Sequence, residues 1–287
     1  MKNCLLCKCS EFKKLFSNTL IECRNCGFVS ANLEISNEEL KKLYSKKYFH
    51  GDEYFDYYSD RVIIQKNFLK RIKKIDIATG SSILDIGCAY GFFGDLLMRK
   101  YNNQLSYTGI DISNDATEYG RKQLGLNLIT GDYLKQKFPN KFSHVFMWDV
   151  IEHLKHPELF IQKISRDISE GGLIYLTTAD INSFMAKIRG RKWRMIHPPS
   201  HLHYFSSKTI KLLLKNNGFS EIKISYPPIY RSIKQIYYSL FLLKREKQIH
   251  IFKKLFNHLP SNLSVPLNTF DIMFVKARKG SESSQKQ

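Results

Sequence analysis

Residues 83–91 read Ile83-Leu84-Asp85-Ile86-Gly87-Cys88-Ala89-Tyr90-Gly91, and this run decides the fold class. Ile83, Leu84 and Ile86 have the continuous apolar character of a buried strand. Gly87 and Gly91 then turn the chain into a helix that starts at Phe92 or Phe93. A glycine turn between strand and helix lets a ligand come close to the backbone. The spacing argues against a dinucleotide, whose fingerprint is G-x-G-x-x-G with a second glycine that admits the pyrophosphate. Here Cys88, Ala89 and Tyr90 separate the two glycines, and an acidic residue, Asp85, precedes them.

Outward from this run the chain alternates between two periodicities. Strands are expected over 82–87, 106–111, 127–130, 143–148 and 172–178, with helices near 92–100, 115–124 and 157–169. Such alternation implies an α/β, doubly wound, mostly parallel sheet. Ligands of such sheets sit at the carboxyl ends of the strands. A further helix is expected over 206–218 and a strand over Phe219–Tyr226, closed by Pro227-Pro228. A last strand over Phe270–Ala277 makes seven, the final two forming an antiparallel hairpin. The implied organisation is a zinc-ribbon-like segment at 1–32, a helical lead-in at 33–79 and a core at 80–228. A basic insertion at 229–268, the core's last strand within 269–279 and a polar, disordered tail at 280–287 complete it. Within the lead-in, Ser36-Asn37-Glu38-Glu39-Leu40 reads as a helix start, and Ile63 to Ile75 keeps helical spacing. The aromatic cluster at 44–58 serves either as core or as a lid over the next domain.

Cys4-Leu5-Leu6-Cys7 and Cys23-Arg24-Asn25-Cys26 are two C-x-x-C pairs with 15 residues between them. Each pair can form a knuckle offering two thiolates to one tetrahedral ion, which is the spacing of a structural Zn2+ site. Gly27 suits the positive backbone angle of such a knuckle. A segment this short cannot bury a core, so the metal would supply its folding energy. Cys9 is left over, and Cys88 lies in the glycine turn.

The chain has 287 residues and a net charge of +19. Six cysteines in this length point to a reducing compartment rather than a disulfide scaffold. No apolar run reaches the length of a membrane span and no secretory signal opens the chain, so a cytoplasmic location is expected. Residues 186–258 hold 16 basic and 2 acidic side chains and carry most of the excess charge. Such a field draws anions: nucleic acid, anionic lipid, or phosphorylated substrates. Within it, apolar residues of Ile236–Phe256 lie among lysines, a pattern that suits core packing, an oligomer contact or a membrane surface.

Residues 80–180 resemble the class I methyltransferases that use S-adenosyl-L-methionine (SAM), a Rossmann-like fold. Residues 145–157, Val-Phe-Met-Trp-Asp-Val-Ile-Glu-His-Leu-Lys-His-Pro, resemble the segment after the fourth core strand in the bacterial methyltransferase domain 23 group. Trp193, the block from Pro198 to Ser206 and Asn217-Gly218-Phe219 resemble the same group's C-terminal signature. The resemblance spans about residues 1–228 and departs at 229–268. It implies that Asp85, Gly87, Cys88 and Gly91 face the methionine part of SAM, and that Asp111 and Ile112 lie at its ribose. Asp132, Tyr133 and Trp148 would lie around the base and the rest of the cofactor. With the cysteine pairs, it also implies an acceptor among sugars, glycan precursors or similar metabolites.

Methyl transfer to oxygen benefits from a base titrating near neutrality, so histidines are the natural candidates. His153 follows the fourth strand. His201 and His203 sit in a proline-rich loop expected to return over the site, on one side of an extended segment. A metal at this His201/His203 pair lacks a third ligand at a convincing spacing. Glu152 reads as a cap or ion-pair partner. Other readings are an RNA methyltransferase using the basic region, a membrane-associated enzyme with a lipid-linked acceptor, and a non-catalytic binding protein.

Overall fold

The computed structural model describes residues 3–36, 38–40, 60–237, 256 and 263–281. The aromatic cluster at 44–58, most of the apolar stretch within 236–256 and the end of the tail lie outside them. The N-terminal strands are β1 (Phe12–Leu15), β2 (Leu20–Cys23) and β3 (Val29–Ala31). Ser36 and Glu39 cap each other's backbone N–H groups at the expected helix start. Helix α1 (Arg61–Ile72) then leads into the core.

The core runs β4 (Ser82–Ile86), α2 (Phe92–Lys100), β5 (Ser106–Asp111), α3 (Asn114–Leu124), β6 (Leu128–Thr130), β7 (Phe142–Trp148), α4 (Pro157–Asp167) and β8 (Ile168–Ala179). After it come α5 (Phe184–Arg189), β9 (His203–Tyr204), α6 (Ser207–Lys215), β10 (Phe219–Ser225), β11 (Ile229–Ser232), α7 (Ile233–Tyr237), β12 (Ser264–Leu267) and β13 (Ile272–Lys279). Seven strands form one sheet in the order β10-β13-β8-β7-β4-β5-β6. β4 through β8 pair in parallel, and β13 and β10 close one edge antiparallel, as the hairpin pattern predicts. The order reverses between β4 and β7, so the crevice beyond their carboxyl ends is the expected ligand site.

Central strands are buried on both faces: Ile83, Leu84, Val145, Phe146 and Met147 are fully enclosed. Stacked Phe146, Trp148, Tyr175 and Phe274, with Phe93 edge-on to Trp148, fill one side of the sheet. Among the described residues no helix is long and apolar enough to cross a membrane.

One strand boundary needs correction. β8 starts at Ile168, directly after α4, rather than at 172; its pairing with β7 shifts register after Phe142, and Gly171 adopts a positive φ there. The basic insertion at 229–268 begins and ends in paired strands. It leaves and returns as an antiparallel ribbon, with Ile229 opposite Leu267 and Ser232 opposite Ser264.

The N-terminal strands do not stand apart. β3 pairs with β9, placing Val29 opposite Tyr204 and Ser30 opposite His203, and so completes a four-stranded sheet β1-β2-β3-β9. Cys4, Cys23, Cys26 and Phe28 share one apolar cluster with Phe205, Leu213 and Phe219 of the core.

Candidate active site

The first strand end is built by close approach. Gly87 sits at φ +74, and a Cβ there would lie 2.4 Å from Cγ2 of Val150, just after β7. The loops flanking the crevice between β4 and β7 are therefore in contact through this glycine. Gly91, at φ +79, opens α2 as its N-cap. Asp85 is 1% exposed; its Oδ2 accepts from the Tyr107 hydroxyl at 2.7 Å. Its Oδ1 is buried with no hydrogen-bond partner among the described residues, as a carboxylate awaiting a cationic ligand group would be. Burial, opposed by the Tyr107 hydrogen bond, pushes the Asp85 carboxyl up to about 7, and the charge of Asp111 adds to the rise.

At the end of β5, the Asp111 carboxylate accepts from Ala89 N at 2.8 Å and from Ser113 N at 2.9 Å. It thus staples the glycine turn to the start of α3, and each oxygen keeps lone-pair capacity for a diol. Burial raises the Asp111 carboxyl, opposed by these backbone donors. Ile112 beside it is 51% exposed, an apolar face open to a ligand. Asp132 caps the turn after β6 through Leu134 N at 2.9 Å and remains exposed.

Three residues assigned to the cofactor turn elsewhere. Tyr133 is 2% exposed, its hydroxyl donates to Asp167 at 2.7 Å, and its ring packs on Phe138 and Phe160, so it offers no face to a base. The Asp132 cap sends the next side chain into the core. Trp148 lies within the aromatic stack, with Arg71 over its ring; only its buried Nε1 is unmatched among the described residues. Cys88 is buried in packing, and burial holds its thiol well above the usual range.

After β7 the chain bends at Asp149, which has a positive φ and is held by Arg71 at 3.1 Å and Thr177 at 2.8 Å. A single 3-10 turn, Ile151–His153, then presents Glu152 and His153. The proline loop returns here as expected: Leu202 N donates to Glu152 O, and Ala31 N donates to Leu202 O. Ring centroids of His153 and His201 stand 4.6 Å apart, and those of His197 and His201 stand 3.9 Å apart. Burial lowers His153 to about 4 and His201 well below its ordinary value, so both rings are neutral.

His203 does not join them. Its Nδ1 meets Ser30 Oγ at 3.0 Å, its Nε2 faces Lys155 O at 3.3 Å, and its ring stacks on Phe28. His201 precedes β9 and so escapes strand alternation, and the two rings point to different neighbours. His203 is a joint between β9 and the N-terminal sheet, not a base.

Residues that sequence reasoning passed over complete the site. Glu152 lies inside the histidine cluster, and its Oε2 accepts from Thr178 at 3.0 Å. His197 lines a cavity of about 950 Å³ together with Arg189, Arg191, Lys192, Arg194 and Arg231. Burial lowers Arg231 to about 10, with the neighbouring Arg194 charge adding to the fall and Asp271 opposing it. Asp271 is 0% exposed and accepts from two cavity-lining residues, Trp193 Nε1 at 2.9 Å and Arg194 Nη2 at 3.3 Å. The Glu-His adjacency was the available signal for Glu152, but nothing in the sequence joins it to a loop 45 residues later.

The four ribbon cysteines converge: Sγ of Cys4 is 3.6 Å from that of Cys26, and Sγ of Cys7 is 3.5 Å from that of Cys23. All four lie within 4.8 Å of one another. Sulfurs around tetrahedral zinc stand about 3.8 Å apart for bonds of about 2.3 Å, so the set fits a Zn2+ ion.

A methyltransferase-domain family model matches residues 54–224. A probable (S)-tetrahydroprotoberberine N-methyltransferase of Papaver bracteatum is 24% identical over 197 residues, covering 64% of this chain and 55% of its own length. A ubiquinone biosynthesis O-methyltransferase of Paracidovorax citrulli is 26% identical over 142 residues, 46% of this chain and 58% of the relative. The chain thus spans little more than half the length of these curated relatives. Among solved structures, the magnesium protoporphyrin IX methyltransferase of Synechocystis with bound SAH superposes with a TM-score of 0.54 at 14% identity, covering 85% of this chain and all of that one. This last likeness shows the fold. With the family match covering more than half the chain and a seven-stranded sheet of the same kind beneath it, the chain belongs to the methyltransferase-domain family.

Proposed function

We propose that the chain transfers the methyl group of SAM to a hydroxyl oxygen of a small acceptor that carries phosphate, such as a sugar or glycan precursor on a nucleotide. The observation that carries this reading is the basic cavity and its outlet. Five cationic side chains line a space of about 950 Å³, and His197 on its wall touches His201 of the cluster after β7. A phosphorylated tail would sit among the arginines while the hydroxyl end reached the histidines. SAM supplies an already activated electrophilic methyl. The chain would hold the cofactor through the Gly87 turn, Asp85 and Asp111, and would align the acceptor in line with it. Such positioning is worth up to about 7–11 kcal/mol in the best intramolecular cases.

In this reading Cys4, Cys7, Cys23 and Cys26 hold a structural Zn2+ ion. Burial raises the Cys4 thiol to about 11; the Cys23 thiol falls to about 7, burial being outweighed by backbone N–H groups of Cys26 and Asn25. An ion bound there would settle all four as thiolates.

The test is calorimetric titration of SAM into the wild type and Asp111→Ala, followed by mass spectrometry of nucleotide-linked sugars incubated with SAM. Binding lost in Asp111→Ala and one methyl gained by an acceptor support the reading. A folded wild type that binds no SAM refutes it. Methylation of RNA but of no small acceptor refutes the acceptor class.

A further inference from the structure

We infer that Glu152, His153 and His201 form a divalent-cation site of the two-histidine, one-carboxylate type, set beside the methyl-transfer crevice and separate from the cysteine ribbon. One potential ligand atom from each lies within 4.8 Å of the other two, all deep in the protein. The tautomers are fixed by the backbone. Nδ1 of His153 is 2.9 Å from Ser200 O, and Nδ1 of His201 is 2.9 Å from Met195 O. A carbonyl only accepts, so both Nδ1 atoms carry hydrogen and donate, and each Nε2 presents a lone pair. The Glu152 carboxylate is likewise an acceptor, oriented by the Thr178 hydroxyl at 3.0 Å. Two imidazole nitrogens and a carboxylate oxygen therefore stand together, which is a donor set that divalent cations take. Each ligand also has the outer partner that orients metal ligands elsewhere: a backbone carbonyl on each imidazole and a hydroxyl on the carboxylate.

The frame is as fixed as the ligands. Glu152 and His153 share one 3-10 turn, and His201 hangs from a loop bonded to Glu152 O on one side and to Ala31 N on the other through Leu202. Among the described residues the set offers three protein ligands, the number used by reactive sites rather than by four-ligand structural ones. Two imidazoles and a carboxylate suit Mn2+, Fe2+, Co2+ or Zn2+ and disfavour the thiolate-seeking chemistry of the ribbon. The Gly87–Val150 contact sets the turn bearing Glu152 beside the cofactor crevice, and His197 links it to the basic cavity.

The role assigned to the ion rests on the proposed methyl transfer; its binding does not. An acceptor hydroxyl coordinated at an open position would lose its proton to water in the cavity. The resulting oxygen lone pair would form the new O–CH3 bond as the S–CH3 bond breaks and sulfur keeps that electron pair.

The probe is Mn2+, added to the purified chain after loading with one equivalent of zinc and removal of all unbound metal, and read by loss of the free-ion paramagnetic resonance signal. Mn2+ discriminates against the four thiolates. The expected result is one Mn2+ bound per chain, weakened about a hundred-fold or more in Glu152→Gln and His201→Gln. Thr178→Val leaves all three ligands in place and should weaken binding about ten-fold, as loss of an outer-shell partner does; it serves if the ligand variants fail to fold. A wild type that binds no Mn2+, or variants that bind it as the wild type does, overturns the assignment. SAM titration of the same samples keeps the two readings apart: SAM binding without Mn2+ binding refutes the metal site alone, and Mn2+ binding without SAM binding refutes the methyltransferase reading alone.

Discussion

Gly87→Ala tests the contact on which the crevice is built. Two penalties are legible at this position. The backbone is left-handed at φ +74, which costs a residue with a Cβ about 1–2 kcal/mol. The new methyl would also stand 2.4 Å from Cγ2 and 3.3 Å from Cγ1 of Val150. Both atoms belong to a half-buried side chain packed on the core, so they yield only by moving the segment after β7. Overpacking of this kind costs about 1–3 kcal/mol. The sum, about 2–5 kcal/mol, lowers the melting temperature by about 5–15 °C in a chain of this size. Val150→Ala removes both offending methyls and by itself costs about 1 kcal/mol of burial. In the double variant the overpacking disappears while the backbone strain stays. Thermal or urea unfolding of the four proteins closes a double-mutant cycle, expected to show about 1–3 kcal/mol of favourable coupling. SAM affinity should fall in Gly87→Ala and recover in part in the double variant. Additivity within about 0.5 kcal/mol would show that these loops do not touch as described, and the placement of the turn after β7 beside the cofactor loop would fall with it.

Asp85, with its carboxyl raised to about 7, holds a proton that the unfolded chain has released, so its contribution to stability is present at acid pH and is lost as pH rises through 7. Thermal melts of the ligand-free wild type should show this loss between pH 5 and 8, and Asp85→Asn should remove it. Because the ionised carboxylate is the form that pairs with a ligand ammonium, SAM affinity should rise from pH 5.5 to 7; equal affinity across that range in the wild type, with Asp111 intact, would contradict this. Asp271→Ala leaves Arg194 and the buried Trp193 indole without their acceptor and should cost about 3–5 kcal/mol, read by urea unfolding. Cys26→Ser should remove one zinc per chain by elemental analysis and expose β1–β3 to proteolysis; unchanged zinc content would refute the ribbon site.

The sheet was legible because its signals are local. Ile83-Leu84-Asp85-Ile86 followed by Gly87 needs no distant partner to read as strand and turn, and β5, β6 and β7 fall within a residue of their expected bounds. β8 was truncated in the reading because Ser169-Glu170-Gly171-Gly172 has the composition of a loop, yet β7 recruits it across a register shift. Direction of side chains was the harder matter. Tyr133 follows an aspartate where an adenine would lie, but a one-residue cap decides that its ring goes inward. His203 is separated from Ser30 by 173 residues, and no periodicity foretells that partner. The metal triad was missed for the same reason: its third ligand had been assigned to a cap, and only the return of the 197–202 loop shows all three pointing at one place.

That return gives the ribbon a role larger than its own folding. The His201 loop is held to the core by Leu202 N on Glu152 O and by the His153 ring on Ser200 O, and the strand after it adds a second anchorage. Ala31 N grips Leu202 O, Ser30 Oγ meets His203 Nδ1, and Phe28 stacks on the His203 ring, all from the strand and turn that follow Cys23 and Cys26. The ribbon presents β3, and β3 pairs with the strand that follows His201. A displacement of about 1 Å at a reacting group is enough to cost a large factor in rate. Under the proposed zinc site, the energy of ion binding at the cysteines would be folding energy for the ribbon. Through one pair of β-bridges that energy would be passed to the loop beside the crevice, and the ribbon shares its apolar cluster with the core instead of standing as a separate module.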